Sequence, residues 1–291
     1  MTQLSLATVQ QGGAPVGCVE RDGRMYRLAG FGAPASVAAL FDDWPHWSAH
    51  LAGATPPAPL PDGLPLLAPL MYPGKILCAG ANYYAHCREM GLADPRKETQ
   101  RLFFFMKPPR NAVVGPGATV RKPIGTEKMD WEIELAAVIG TRARNVGVAD
   151  ALSHVAAYTV AIDFSARDFN FAPDTFYKLD WVAGKAHDTC CPMGPRLVLA
   201  SDIADVQSLR LKLSVNGETK QDDSTSDMIF SVAEQIATAS RIMTLDPGDV
   251  ILTGTPAGVG MPKGTFLSVG DVVDAEIEHV GKFSVTIQSE G

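Results

Sequence analysis

Short apolar runs, cut by glycines and by tight Asp-Gly-type turns, dominate the chain from residue 71 onward. The runs KILCAG, EIELAAVIG, AYTVAIDF, LRLKLSVNG, DVILTG, DVVDAEIEHVG and KFSVTIQ are rich in β-branched residues, so each predicts a strand. One order recurs in 247-PGDVILTG-254 and 269-VGDVVDAEI-277, where a tight turn feeds a β-branched strand. Helical periodicity is clear in 232-VAEQIATASRIM-243. Val232, Ile236, Ala239 and Met243 form its apolar stripe, and Ser231 with Glu234 has the spacing of a capping box. Runs of strands that do not alternate with helices predict a mixed, β-rich α+β fold, a roll or barrel rather than a doubly wound sheet.

Residues 1–52 show similar patterning on a smaller scale, in LATVQQGG and VGCVERDGRMYRLAG, followed by one short helical stretch, SVAALFDDW. Then comes 54-ATPPAPLPDGLPLLAPL-70, dense in proline, which removes ladder and helix donors. These features predict a small β-rich N-terminal domain over 1–70, ending in a proline-rich linker, and a larger domain over 71–291. The string GFGAPA at 30–35 matches a dinucleotide-binding loop in outline only. Pro34 would enter the helix, and no acid follows at the ribose-binding distance.

The most informative positions are acidic. In 130-DWEIEL-135, Glu132 and Glu134 are two apart, so on a strand they leave the same face. Trp131, Ile133, Leu135 and Ala137 point the other way, and the acid-bearing face continues as Ala136 and Val138. Both faces read as buried. A buried carboxylate is costly unless a proton or a positive charge accompanies it. A divalent cation meets that need, with Asp163, at the end of the run AYTVAID, as third ligand. Carboxylates without paired His or Cys suit a hard ion such as Mg²⁺, Mn²⁺ or Ca²⁺. Asp130 shares the strand parity but sits at the strand start beside Lys128, and reads as a turn or supporting residue.

In 82-NYYAHCREMG-91 a helix would put His86 and Glu89 on one face, with Gly91 as terminator. A histidine oriented by a carboxylate can act as a general base near neutral pH. An exposed ion pair has the same spacing. Lys107, after LFFFM, and Lys185, in AGKAHDT, could stabilise an oxyanion, although most lysines lie at the surface. The glycines of 253-TGTPAGVG-260 let backbone N–H groups approach an anion, but GK[ST] is missing, so this is not a P-loop. Neither a GxSxG elbow nor an HExxH motif is found.

Composition narrows the classes. The 291 residues are 46% hydrophobic and 20% charged, with a net charge of -7. That leaves no basic surplus for nucleic acid or an anionic membrane. No apolar run has the length of a membrane span, and MTQLSLATVQQGG lacks a basic n-region. The five cysteines include no CxxC and read as reduced thiols. The expectation is a cytoplasmic protein.

These strings together resemble the fumarylacetoacetate hydrolase superfamily. KILCAGANYYAHCREMG, FFFMKP, DWEIELAAVIG, AYTVAIDFSARD, AGKAHDTCCPMGP, STSDMIFSVAEQIA and LDPGDVILTGTPAGVG occur in the family's order and cover nearly all of 71–291. The resemblance implies a β-roll core, a homodimer, and Mg²⁺ or Mn²⁺ held by Glu132, Glu134 and Asp163. It implies a catalytic pair, His86 with Glu89, on a segment that acts as a lid. Lys185 would bind substrate oxygen and Thr255 the substrate carboxylate, while Lys107 and Arg167 fall in family strings as further substrate contacts. The family's namesakes carry a fourth acidic ligand near the start of the lid. Here Asn82 stands in that region, so the chain resembles the three-carboxylate branch. The charged segment 92–103, Asn170 and His187 depart from the family pattern. The expected activity is hydrolysis of a C–C bond in an acylpyruvate-type 2,4-dioxo acid. Oxaloacetate decarboxylation, isomerisation or hydration of a 2-hydroxydienoate, and a non-catalytic metal-binding dimer are the alternatives.

Overall fold

The computed structural model describes residues 4–92 and 95–290. Within the expected lid, Ala93 and Asp94 lie outside the described residues. The main sheet runs through Arg24–Arg27, Ala14–Arg21, Leu4–Gln11, Cys191–Leu199, Val155–Ile162, Ile133–Ile139, Val250–Leu252, Ile76–Ala79 and Phe104–Lys107. Neighbours on this path are antiparallel, except that Val250–Leu252 runs parallel to Ile76–Ala79. A second sheet orders Glu218–Ser224, Arg210–Val215, Val272–Ile277, Gly281–Ser289 and Thr119–Lys122, the last two parallel. The fold is the mixed, β-rich one that the run pattern predicts.

The strand Ile133–Ile139 shows how the sheet is covered. Ile133, Leu135, Ala137 and Ile139 join a core with Leu211, Leu213, Ala275 and Val285 of the second sheet and with Val232 and Ile236. Ala136 and Val138 face a separate core, built with Leu6, Val19, Leu28, Leu40 and Trp44 from the N-terminal segment. Alternation sends successive side chains to opposite faces, and here both faces are packed. The N-terminal strands continue the main sheet, Leu4–Gln11 pairing with Cys191–Leu199 at Ser5↔Val198 and Leu6↔Leu197.

The helix Val232–Ile242 carries the expected capping box, with Met243 as its C-cap. A second helix, Trp44–Gly53, follows the anticipated short helical stretch; Asp43 accepts from His46 N–H, and Pro45 sits where its missing donor costs nothing. The strand Cys191–Leu199 was not anticipated, because Pro192 and Pro195 interrupt its pattern. Its ladder shifts register between Tyr158 and Val160, where Val160 pairs with Gly194. No helix among the described residues is long and apolar enough to cross a membrane.

Candidate active site

Glu132, Glu134 and Asp163 come together where two central strands of the main sheet meet. Glu134 lies in Ile133–Ile139, Glu132 immediately precedes that strand, and Asp163 immediately follows Val155–Ile162. The ladder continues one step beyond the strands, Asp163 N–H donating to Glu132 O at 2.8 Å. This pairing brings the acids close: one oxygen from each lies within 4.8 Å of the others, and all three residues are buried.

Cations surround the group. Lys185 Nζ donates to Glu132 Oε2 at 2.5 Å and to Asp163 Oδ2 at 2.8 Å. Arg167 donates from Nη2 to Glu132 Oε1 at 2.5 Å and from Nε to Asp130 Oδ2 at 2.8 Å. Burial alone would raise the Glu132 carboxyl, but Arg167, Lys185 and His86 outweigh it and hold it well below the usual range. Glu134 has a different environment. It accepts Gly254 N–H at 2.5 Å, and burial, then the charges of Asp163 and Glu132, push its carboxyl well above the usual range. Four buried acids, Asp130, Glu132, Glu134 and Asp163, meet two buried ammoniums, Lys107 and Lys185, and the Arg167 guanidinium. Glu134 is the acid without a cation of its own, so a proton or a bound cation must neutralise it. With an oxygen-only donor set this fits a divalent hard cation.

The other expected residues divide into those on the pocket wall and those behind it. His86, Glu132, Glu134, Arg167, Lys185 and Thr255 line a cavity of ≈ 200 Å³. His86 is on the helix Tyr84–Glu89, and its Nδ1 donates to Glu89 Oε1 at 2.8 Å. A carboxylate accepts only, so the neutral ring keeps its lone pair on Nε2. Glu89 Oε2 accepts Gly258 N–H at 2.9 Å, which ties the pair to the 253–260 loop. Thr255 Oγ1 donates to Ile133 O at 2.8 Å, so its hydroxyl proton is already engaged.

Lys107 lies behind the carboxylates. Its ammonium is 2.7 Å from Asp163 Oδ1 and donates to Phe164 O at 3.0 Å and Lys185 O at 2.5 Å. It is not among the residues lining the cavity. Burial pulls its proton affinity down, Asp163 more than compensates, and the lysine stays charged. Its contacts hold the third carboxylate and the backbone of Lys185. Asn82 is a structural cross-link: Nδ2 donates to Phe230 O and Thr253 O, and Oδ1 accepts Phe230 N–H, each at 2.9 Å.

Asp130, read from the sequence as a turn or supporting residue, is wholly buried and collects Gly260 N–H at 2.6 Å and Met261 N–H at 3.0 Å besides Arg167. One set of residues escapes the sequence reading. Phe103, Phe105 and Trp181 also line the cavity; the run LFFFM signalled the two phenylalanines only as bulk.

A buried carboxylate triad that could hold a metal, beside a carboxylate-oriented histidine on this β-rich roll, has the form of an enzyme site. Residues 75–288 match the family described as fumarylacetoacetate (FAA) hydrolase C-terminal, and the chain belongs to that family of enzymes. It is 42% identical over 221 residues to oxaloacetate tautomerase fahd2, mitochondrial, of Xenopus laevis, spanning 75% of this chain and 67% of that protein. The fumarylacetoacetate hydrolase of Exiguobacterium antarcticum superposes with a TM-score of 0.81 at 31% identity, covering 99% of this chain and 100% of that one. Fumarylpyruvate hydrolase from Pseudomonas aeruginosa, solved with Mn²⁺ and pyruvate, gives 0.68 at 33% identity over 82% of this chain and 99% of that chain.

Proposed function

We propose that this chain hydrolyses a C–C bond in a 2,4-dioxo acid, releasing a 2-oxo acid such as pyruvate. The observation that carries this reading is the placement of His86, hydrogen-bonded to Glu89, on the same small cavity as Glu132 and Glu134. Glu132, Glu134 and Asp163 would hold a divalent ion, which when bound would supply Lewis acidity at the cavity. His86, held in one tautomer by Glu89, takes a proton from water at Nε2. The water oxygen bonds to C4, and the C3–C4 bond breaks with its electron pair left on the enolate. Lys185 and Arg167, charged and on the cavity wall, stabilise the developing oxyanion. His86 then returns the proton to C3.

The test is pyruvate release from acylpyruvates by the Mn²⁺-loaded protein, with a chelator control. His86→Ala should keep Mn²⁺ and lose about 10²–10⁴ in turnover, the usual size of a general-base contribution. Lys185→Ala should lose about 10²–10³. Full activity in His86→Ala excludes the assigned base. A second reading, keto–enol interconversion of oxaloacetate, is favoured by the 42% identity to an oxaloacetate tautomerase. It needs the ion and the base but no attacking water. Decay of the enol absorbance of oxaloacetate without pyruvate release from any dioxo acid would select it.

A further inference from the structure

The cavity is lined by the acids with Arg167, Lys185 and His86 and by an apolar wall of Phe103, Phe105, Trp181 and Met90. The two parts meet at Phe105, whose ring centre is 5.0 Å from the Lys185 ammonium. The wall is a packed unit. Phe105 and Trp181 stack with centroids 5.1 Å apart and planes 17° from parallel, and Phe103 leans on Trp181 at 5.4 Å. Gly80 makes room for it, since a Cβ there would come within 2.0 Å of the Phe103 ring. Gly80 N–H also donates to Phe103 O at 3.0 Å. Trp181 opens the same short helix that ends in Lys185, capped by Asp180 accepting Ala183 N–H. The wall is therefore fixed relative to the charged part.

The cations on the cavity wall are already committed. Arg167 is divided between Asp130 and Glu132, and Lys185 between Glu132 and Asp163. Asn170 Nδ2 is engaged by Asp180 O at 3.1 Å. A ligand carboxylate against Phe103, Trp181 and Met90 would meet rings and a thioether, while both cations of the described lining are drawn toward the acids. Desolvating an ion without a partner is strongly unfavourable, whereas an apolar group there gains by burial.

We propose that the cavity selects 2-oxo and 2,4-dioxo acids whose far end is an alkyl or aryl group packed on Trp181 and Phe103, and rejects those ending in a second carboxylate. This rests on the reading of the charged part as a 2-oxo acid site, and binding rather than turnover separates the two. Isothermal titration of the Mn²⁺-loaded protein would compare 2-oxo-4-phenylbutanoate with 2-oxopentanedioate, neither of which can be hydrolysed as a dioxo acid. The phenyl ligand should bind at least about tenfold more tightly, a gap that a few buried methylene equivalents supply. Trp181→Ala should remove most of that gap. Phe103→Arg, which leaves Trp181 in place and adds a cation at the wall, should reverse it. Equal or tighter binding of the diacid by the unaltered protein overturns the proposal alone. Failure of both ligands to bind while Mn²⁺ binds overturns the 2-oxo acid site and the proposal with it.

Discussion

Glu134 differs from its neighbours in one respect: among the described residues it is held by a backbone N–H, where Asp130, Glu132 and Asp163 are held by side-chain cations. Burial and the adjacent charges raise its carboxyl well above the usual range in the metal-free protein. A raised carboxyl means that the folded state binds more protons than the unfolded one, so metal-free stability falls as pH rises through that raised value. A cation at the triad must displace the proton. Mn²⁺ titrations at pH 6 in buffers of different ionisation enthalpy should show release of up to about one proton per ion; an enthalpy independent of buffer would contradict this. The clustering of the carboxylate trio was legible because strand parity and apolar flanks make Glu132 and Glu134 anomalous. Lys107 and Lys185 were singled out by their strings, but their burial was not legible: a lysine's ordinary place is the surface, and only the folded chain shows both ammoniums enclosed against Asp163.

At the scale of elements, local signals were read where they were self-sufficient. The helix Val232–Ile242 announces its own start, with Ser231 Oγ accepting Glu234 N–H at 3.3 Å and Ser231 N–H donating to Glu234 Oε2 at 2.9 Å. Lys97, from the charged segment before Phe103, pairs with the other oxygen of Glu234 and lies 5.8 Å from the centre of the Phe230 ring. Replacing Ser231 by alanine should cost about 1 kcal/mol, the usual worth of an N-cap. The urea midpoint should fall while the slope of the transition stays unchanged. The strand Cys191–Leu199 carries the opposite lesson. Its prolines argue locally against a strand, and its place between Leu4–Gln11 and Val155–Ile162 is decided by partners far away in the chain.

For the whole molecule, the β-rich class followed from run lengths and turn residues. Apolar flanks also showed that both faces of Ile133–Ile139 are buried, but not what covers them, because that depends on which distant segments pack on each face. One outcome of that packing is chemical quiet. All five cysteines are buried. Burial pushes Cys18 up to about 11 and Cys190 and Cys191 up to about 12, and raises Cys78 and Cys87 as well. Thiolates are the reactive form, so the native protein at pH 8 should leave a disulfide reagent such as dithiobis(nitrobenzoate) unreacted over minutes, while the denatured chain titrates all five; rapid native reaction would place a thiol in solvent. The glycine loop has a consequence of another kind. Its amides serve Glu134 from Gly254, Glu89 from Gly258 and Asp130 from Gly260. A residue change there would disturb Glu134, the partner of His86 and the Arg167 anchor together. Phe103 and Trp181 share none of these amides. If the cavity selects its ligand as proposed, evolutionary drift toward new substrates has an open route through Phe103 and Trp181 and a closed one through the loop.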